Sequence, residues 1–267
     1  MRDLRDFLLR LQHASAVLVT VTETRGSVPR ERGAWMAVFA DACVGTIGGG
    51  HLEWQAITAA RAQLAQGHRG THTQRQALGP SLGQCCGGVV QLGFESVDAT
   101  DIEAIRARLA GAGVPLALFG GGHVGSAIVR LAAELPLDVT WIDSRDEVFP
   151  TDAPAHVRCE HSSPVQAAVA DLAPGSRVLI MSFSHAEDLD ILAACLDRQR
   201  LRGDLGFIGL IGSRTKWATF RRRLTERGYS VQEMAAVTCP IGLPGIAGKQ
   251  PGVIALAALA QLMQQPA

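Results

Sequence analysis

Glycine-rich turns carry the residues of this chain that could do chemistry. Gly120-Gly121-Gly122-His123-Val124-Gly125 follows the apolar run Leu116–Phe119 and precedes a helical pattern, and a second apolar run ends at Asp143. Gly120, Gly122 and Gly125 fit G-x-G-x-x-G, and Asp143 lies about twenty residues further on, the spacing of a Rossmann-type nucleotide site. Gly48, Gly49 and Gly50 run into another helical pattern. Bare backbone N–H groups before a helix suit an anion, although a plain strand-to-helix turn accounts for the same residues. Leu78 through Gly88 contains Gln84, Cys85, Cys86, Gly87 and Gly88. Neighbouring cysteines rarely bridge each other, so a thiol here could face a ligand or a metal, or be buried as a small apolar group.

Further polar residues fall where strands should end. Ser182-Phe183-Ser184-His185 follows the strand Arg177–Met181, and His185 could make a polar or acid–base contact. Arg145, just beyond Asp143, could approach a phosphate or form an ordinary ion pair. Ser213 is a good N-cap, and Arg214 beside it opposes the helix dipole, which an anion nearby would explain. Lys249 lies in the Pro/Gly loop Cys239–Pro251, just ahead of the last helix.

The elements that must position these residues are legible from periodicity. Leu4, Phe7, Leu8 and Leu11 recur at helical spacing, and Ala16–Thr24 reads as a β-branched strand. Strands are expected at Trp35–Phe39, Val44–Ile47, Thr71–Ala77 and Val89–Phe94, with helices after Gly50 and over Ile102–Leu109. Beyond a linker at Gly111–Gly113 the pattern alternates strand and helix, including a helix over Pro164–Leu172, as in a parallel sheet covered on both faces. The expectation is an N-terminal α+β domain over 1–110 and a Rossmann-like α/β domain over 114–267.

The chain has 267 residues, 25 basic and 25 acidic, which gives no basis for a nucleic-acid partner. The first ten residues mix Asp, Arg and Leu, unlike a secretory signal. Val253–Met263 is too short to span a bilayer, so a cytoplasmic location is expected. Six cysteines without a C-x-x-C pair suggest neither a disulfide scaffold nor structural zinc.

Taken together, Gly26-Ser27-Val28-Pro29-Arg30, Gly45 through Glu53, and Leu78 through Gly88 resemble the N-terminal signatures of the XdhC/CoxI family, maturation factors of xanthine dehydrogenase and related molybdenum hydroxylases. The Gly120–Asp143 stretch, Ser182–His185 with Asp188-Leu189, Ile208–Lys216 and Cys239–Lys249 look like its C-terminal half. The resemblance implies a homodimeric chaperone for molybdenum cofactor (molybdopterin with molybdenum), holding it while a cysteine desulfurase supplies the sulfido ligand. It also implies delivery to the xanthine dehydrogenase apo-enzyme. Gly48–Gly50 and Gln84–Gly88 are then cofactor contacts, with Cys85 or Cys86 near the molybdenum. Gly120, Gly122, Gly125, Asp143, Arg145, His185, Ser213, Arg214 and Lys249 line the second, nucleotide-like half. One departure stands out: Phe183 occupies a place where the family commonly has a polar residue.

Two other readings compete. An NAD(P)-dependent oxidoreductase would use Asp143 on the ribose hydroxyl of NAD, with an acid–base pair among His123 and His185. A sulfurtransferase would carry persulfide on Cys85 or Cys86 and require a thiol of depressed pKa.

Overall fold

The computed structural model describes residues 2–67, 69–78, 87–109, 113–145, 147–151, 153–154 and 157–265. Gln84, Cys85 and Cys86 lie outside the described residues. The chain forms two compact units, residues 1–111 and 112–267.

Strand alternation builds the N-terminal unit. In β1 (Ala16–Arg25), Val17, Val19 and Val21 point to one face while Ala16 and Leu18 point to the other. β1 is the middle strand of an antiparallel sheet with β2 (Trp35–Val38), β3 (Cys43–Gly45), β4 (Thr71–Ala77) and β5 (Val89–Val97), in the order β3-β2-β1-β5-β4. Helix α2 (Gly50–Ala65) covers the valine face through Leu52, Ala56 and Ala60. Helix α1 (Arg2–Leu11) covers the other face through Phe7, Leu8 and Leu11, joined by Ile105 of α3 (Ile102–Leu109). Both faces of the sheet are therefore covered at the start of β1, which explains why β1 reads as an unbroken apolar run from Ala16 to Val19.

The C-terminal unit is a wholly parallel sheet. Its strands are β6 (Val114–Phe119), β7 (Leu137–Asp143), β8 (Val157–His161), β9 (Arg177–Ile180), β10 (Phe207–Leu210) and β11 (Val237–Thr238). They lie in the order β11-β10-β9-β6-β7-β8. Numbered within the unit, this is the 3-2-1-4-5-6 order of a doubly wound dinucleotide fold, with the strand order reversing between β6 and β9. Helices α4 (His123–Ala132) and α8 (Pro251–Met263) pack on one face, around Leu118, Trp141 and Leu179. Helices α5 (His185–Arg202) and α6 (Arg214–Glu226) pack on the other, around Phe119, Ile180 and Ile208. The short helix α7 (Val231–Met234) precedes β11.

Two differences from the sequence expectation have physical causes. The helix expected over Pro164–Leu172 is a 3-10 helix, Val165–Asp171. The buried Arg198 guanidinium takes the carbonyls of Val169 (2.7 Å) and Leu172 (2.8 Å), which an α-helix would turn along its own axis. Strand β8 was not expected, because an edge strand with polar, partly exposed residues, here Arg158, Glu160 and His161, lacks the apolar run of its neighbours.

Candidate functional site

In the N-terminal unit three signature strings meet. A β-carbon on Gly48 would lie 2.5 Å from Pro29, and one on Gly88 would lie 2.4 Å from the Ser27 carbonyl oxygen. The Gly88 N–H donates to that carbonyl (3.1 Å), and the Leu78 N–H donates to the Gly88 carbonyl (2.8 Å). Gly26–Arg30, the Gly48–Gly50 turn, Leu78 and Gly88 are thus packed together. Arg30 stands on the surface of this cluster and, among the described residues, has neither an ion-pair nor a hydrogen-bond partner. Space is open beside Gly49 and Gly87, where an added β-carbon would meet nothing.

The donors of the Gly48 turn are not idle. Glu53, on the first turn of α2, accepts from the N–H groups of Ile47 (2.9 Å) and Gly48 (3.2 Å) and from the Thr46 hydroxyl. Burial pushes its carboxyl up, but the Thr46 and backbone donors outweigh that and hold it below the usual glutamate range. The chain supplies its own anion here, from an acid whose place in a first helical turn would by itself suit only the helix dipole. Glu53→Ala strips the acceptor from two backbone N–H groups, so a loss of about 1–3 kcal/mol in stability is expected. A carboxyl with a depressed folded pKa stabilises above its unfolded value and loses that contribution as pH falls through the folded one. Acid titration followed by circular dichroism should therefore show stability declining below the ordinary glutamate value of about 4.3. Glu53→Gln should flatten that part of the profile, and an unaltered profile would refute the role.

In the C-terminal unit the loops after β6, β7, β9 and β10 gather at the carboxyl edge of the sheet, beside the point where strand order reverses. Gly120 has φ +121°, and a β-carbon there would sit 2.0 Å from the Met181 carbonyl oxygen at the end of β9. A β-carbon on Gly125 would sit 2.1 Å from the Gly120 carbonyl oxygen, which also accepts from Trp141 Nε1 (2.9 Å). Gly120 and Gly125 are packing positions. Gly122, the N-cap of α4, faces open space and has no side-chain cap, so the first N–H groups of α4 remain available. By contrast, Ser184 caps α5 through the Glu187 N–H and Ser213 caps α6 through the Lys216 N–H.

Asp143 is 2% exposed and fully engaged. Its Oδ2 accepts from the Gly121 N–H (2.6 Å) and from Arg145 Nη2 (2.9 Å). Its Oδ1 accepts from the Arg145 N–H (3.0 Å) and Arg145 Nε (2.9 Å). Burial raises the Asp143 carboxyl, but the Arg145 guanidinium and the two backbone donors more than offset it, so its pKa lies below the usual range. A carboxylate offers about four acceptor positions, and all are taken. The expectation that Asp143 accepts a ribose hydroxyl therefore meets a carboxylate already saturated by Arg145 and Gly121.

A second buried ion pair ties the neighbouring loops. Asp188 Oδ1 accepts from the Ser182 N–H (2.8 Å) and hydroxyl (2.7 Å), while Oδ2 accepts from Lys216 Nζ (2.6 Å). Lys216 Nζ also donates to the Ile211 carbonyl (2.8 Å). This pair was not singled out from the sequence, although Asp188 and Lys216 each sit in the first turn of a helix that follows a strand. His185, which opens α5, is exposed and meets the edge of Phe220. Arg214 and Lys249 are exposed and, among the described residues, have neither hydrogen-bond nor ion-pair partners.

Among the described residues no group of His, Cys, Asp and Glu could hold a metal ion. The described cysteines are free, and burial pushes Cys195 up to about 12 and Cys239 up to about 11. No described cysteine has the depressed pKa that a persulfide carrier needs. Among the described residues no helix is long and apolar enough to cross a membrane.

An antiparallel α/β unit with converging glycine loops, followed by a doubly wound unit with an open glycine turn, defines a two-domain protein with a Rossmann C-terminal half. The chain belongs to the XdhC and CoxI family: the model of that family matches residues 9–75, and the model of the XdhC Rossmann domain matches residues 116–262. It is 30% identical over 262 residues to the uncharacterized protein YqeB of Escherichia coli K12, covering 96% of this chain and 44% of that one. The chain thus spans less than half the length of that relative. Its fold is similar to that of a solved structure described as a xanthine dehydrogenase from Bacillus halodurans. The TM-score is 0.76 at 20% identity, over 99% of this chain and 95% of the other.

Proposed function

We propose that this chain is a maturation factor that binds molybdenum cofactor, holds it during sulfuration by a cysteine desulfurase, and passes it to the apo form of a xanthine dehydrogenase or related molybdenum hydroxylase. The observation that carries the reading is the convergence of Gly26–Arg30, Gly48–Gly50 and Gly87–Gly88 in one cluster. Glycines in three separate strings packed together describe a built surface, and membership of the XdhC and CoxI family supplies its chemistry.

The residues present fit the group. Molybdopterin offers a phosphate, a polar ring system and a dithiolene, and when bound it would supply the molybdenum centre of the client enzyme. Arg30, which packs against the Gly48 position, is a cation without a partner among the described residues of the first unit. The uncapped start of α4, with Arg145, Arg214 and Lys249, offers anion-binding groups in the second. Because Glu53 already fills the Gly48 donors, a phosphate is better placed against these cations than in the Gly48 turn. Cys85 and Cys86 are the thiols proposed to approach the molybdenum, and a homodimer is the proposed assembly.

The test is purification of the chain from a molybdopterin-producing host, followed by pterin fluorescence and molybdenum analysis. The loaded chain is then mixed with an apo molybdenum hydroxylase. Co-purified pterin and restored hydroxylase activity are expected. A chain that never carries pterin but binds NAD stoichiometrically would overturn the reading. A Cys85→Ser, Cys86→Ser double variant that retains and transfers cofactor normally would remove the thiols from it.

A further inference from the structure

Phe183 is a large aromatic residue left 67% exposed at the carboxyl edge of the parallel sheet. It follows β9, the strand next to β6 at the reversal point. The Arg145 guanidinium lies over its ring, 4.8 Å from the centroid. The same guanidinium is locked edge-on to Asp143 through Nε and Nη2, so its orientation is fixed from two directions. An arginine carries five N–H donors, and among the described residues only Nε and Nη2 have side-chain partners, leaving the Nη1 edge without one on a side chain that is 40% exposed. The open Gly122 position lies on the same turn as Gly121, whose N–H binds the carboxylate that holds Arg145. Glu187, whose charge also acts on Arg145, accepts from the Ser144 hydroxyl (2.6 Å).

We infer that Arg145 and Phe183 are the ligand-selecting pair of the Rossmann unit, and that its ligand is a planar heterocyclic compound bearing a phosphate that Arg145 contacts. Asp143 acts as a positioning residue. Saturated by Arg145 and Gly121, it cannot accept a ribose hydroxyl, and its charge instead fixes a cation whose free edge suits a phosphate. Phe183 supplies an exposed face for the heterocycle, since stacking tolerates many ring types. Two sources offer this chemistry, a nucleotide with a 2′-phosphate and a phosphorylated pterin. The inference does not depend on which of them the Rossmann unit takes, and so it stands apart from the cofactor-delivery reading.

The experiment uses the full chain and two matched probe pairs. NADPH is compared with NADH by fluorescence titration. The oxidised fluorescent pterin with its phosphate intact is compared with the same pterin after phosphatase treatment. At least one phosphorylated probe should bind about tenfold or more tightly than its partner, the scale of a charge-assisted contact. The pair that shows this preference identifies the source. Arg145→Gln should abolish the preference, and in the nucleotide pair it should turn it towards NADH because Asp143 regains free acceptor positions. A merely structural Arg145 would weaken both members alike. Phe183→Leu, at an exposed position where folding is not at stake, should weaken both members of the bound pair about fivefold or more while keeping the phosphate preference. Equal binding within both pairs, no binding by any probe, an unchanged preference in Arg145→Gln, or no effect of Phe183→Leu would overturn the inference.

Discussion

Replacing Lys216 by Met should cost about 3–5 kcal/mol of stability in the C-terminal unit, because it leaves Asp188 buried without its cation. Asp188 is 2% exposed, and its oxygens hold the Ser182 N–H and hydroxyl as well as Lys216. The pair thus ties the loop after β9, which carries Phe183 and leads into His185 of α5, to the loop after β10 through Lys216 and the Ile211 carbonyl. The loss should come with a local effect: hydrogen exchange should speed up at 181–185 and 211–214 before the rest of the unit opens. Lys216→Met combined with Asp188→Leu should recover much of the stability, since replacing a whole buried pair by apolar groups is often neutral or better. It should not restore order in the loop after β9, because the Ser182 N–H loses its acceptor and the hydroxyl keeps only the Ser184 carbonyl. Urea denaturation of the two single variants and the double one measures the coupling. Additive losses would show that the pair has no special role.

How much of this was legible beforehand depends on what each residue contacts. The apolar runs of β1, β6 and β9 are readable because burial on both faces demands such runs, and Thr71–Ala77 is readable because its boundaries are turn residues. The G-x-G-x-x-G string located the reversal point of the sheet correctly, since Gly120 and Gly125 are required by backbone approach alone. What the string could not reveal is the occupancy of its acid. Asp143 has the position of a ribose acceptor, and only the tertiary geometry shows Arg145, two residues away, filling it. Glu53 is the same case in the N-terminal unit, where a residue suited to a helix dipole turns back onto its own glycine turn. Arg198 and Phe183 were invisible as functional or structural anchors for a related reason. A buried arginine that gathers carbonyls from a 3-10 helix, and an exposed phenylalanine under a guanidinium, are defined by partners distant in sequence. Strand β8 lacked any such apolar signature and was missed outright.

Gly120→Ala should abolish folding of the C-terminal unit, and Gly122→Ala should not, although the two residues share one fingerprint. At Gly120 the added carbon would lie 2.0 Å from the Met181 carbonyl oxygen and 2.6 Å from its carbon, and φ is +121°, where an L side chain is strained in any case. Backbone cannot yield there without displacing β9, because the Met181 N–H is itself bonded to the Phe119 carbonyl (2.9 Å) and the Gly120 N–H to the Ile142 carbonyl (2.8 Å). Overlap of this depth with paired backbone places the substitution in the range above about 4 kcal/mol, the exceptional end for a single change. A marginally stable unit of about 5–15 kcal/mol then has little reserve. At Gly122 the added carbon meets nothing, and φ of −75° is ordinary. The cost there is that of a poor N-cap, about 1 kcal/mol or less, because glycine is itself only a moderate cap. Its consequence should be confined to ligands, since a methyl group at the uncapped start of α4 stands in the approach to the free N–H groups. Thermal melting separates the two outcomes, with Gly120→Ala lost to the insoluble fraction or melting far below the parent and Gly122→Ala melting within a few degrees of it. Binding of the phosphorylated probes by Gly122→Ala should then be weaker at near-normal stability. If Gly122→Ala bound them as the parent does, the α4 N-terminus would play no part in the site and recognition would fall to Arg145 and Phe183 alone.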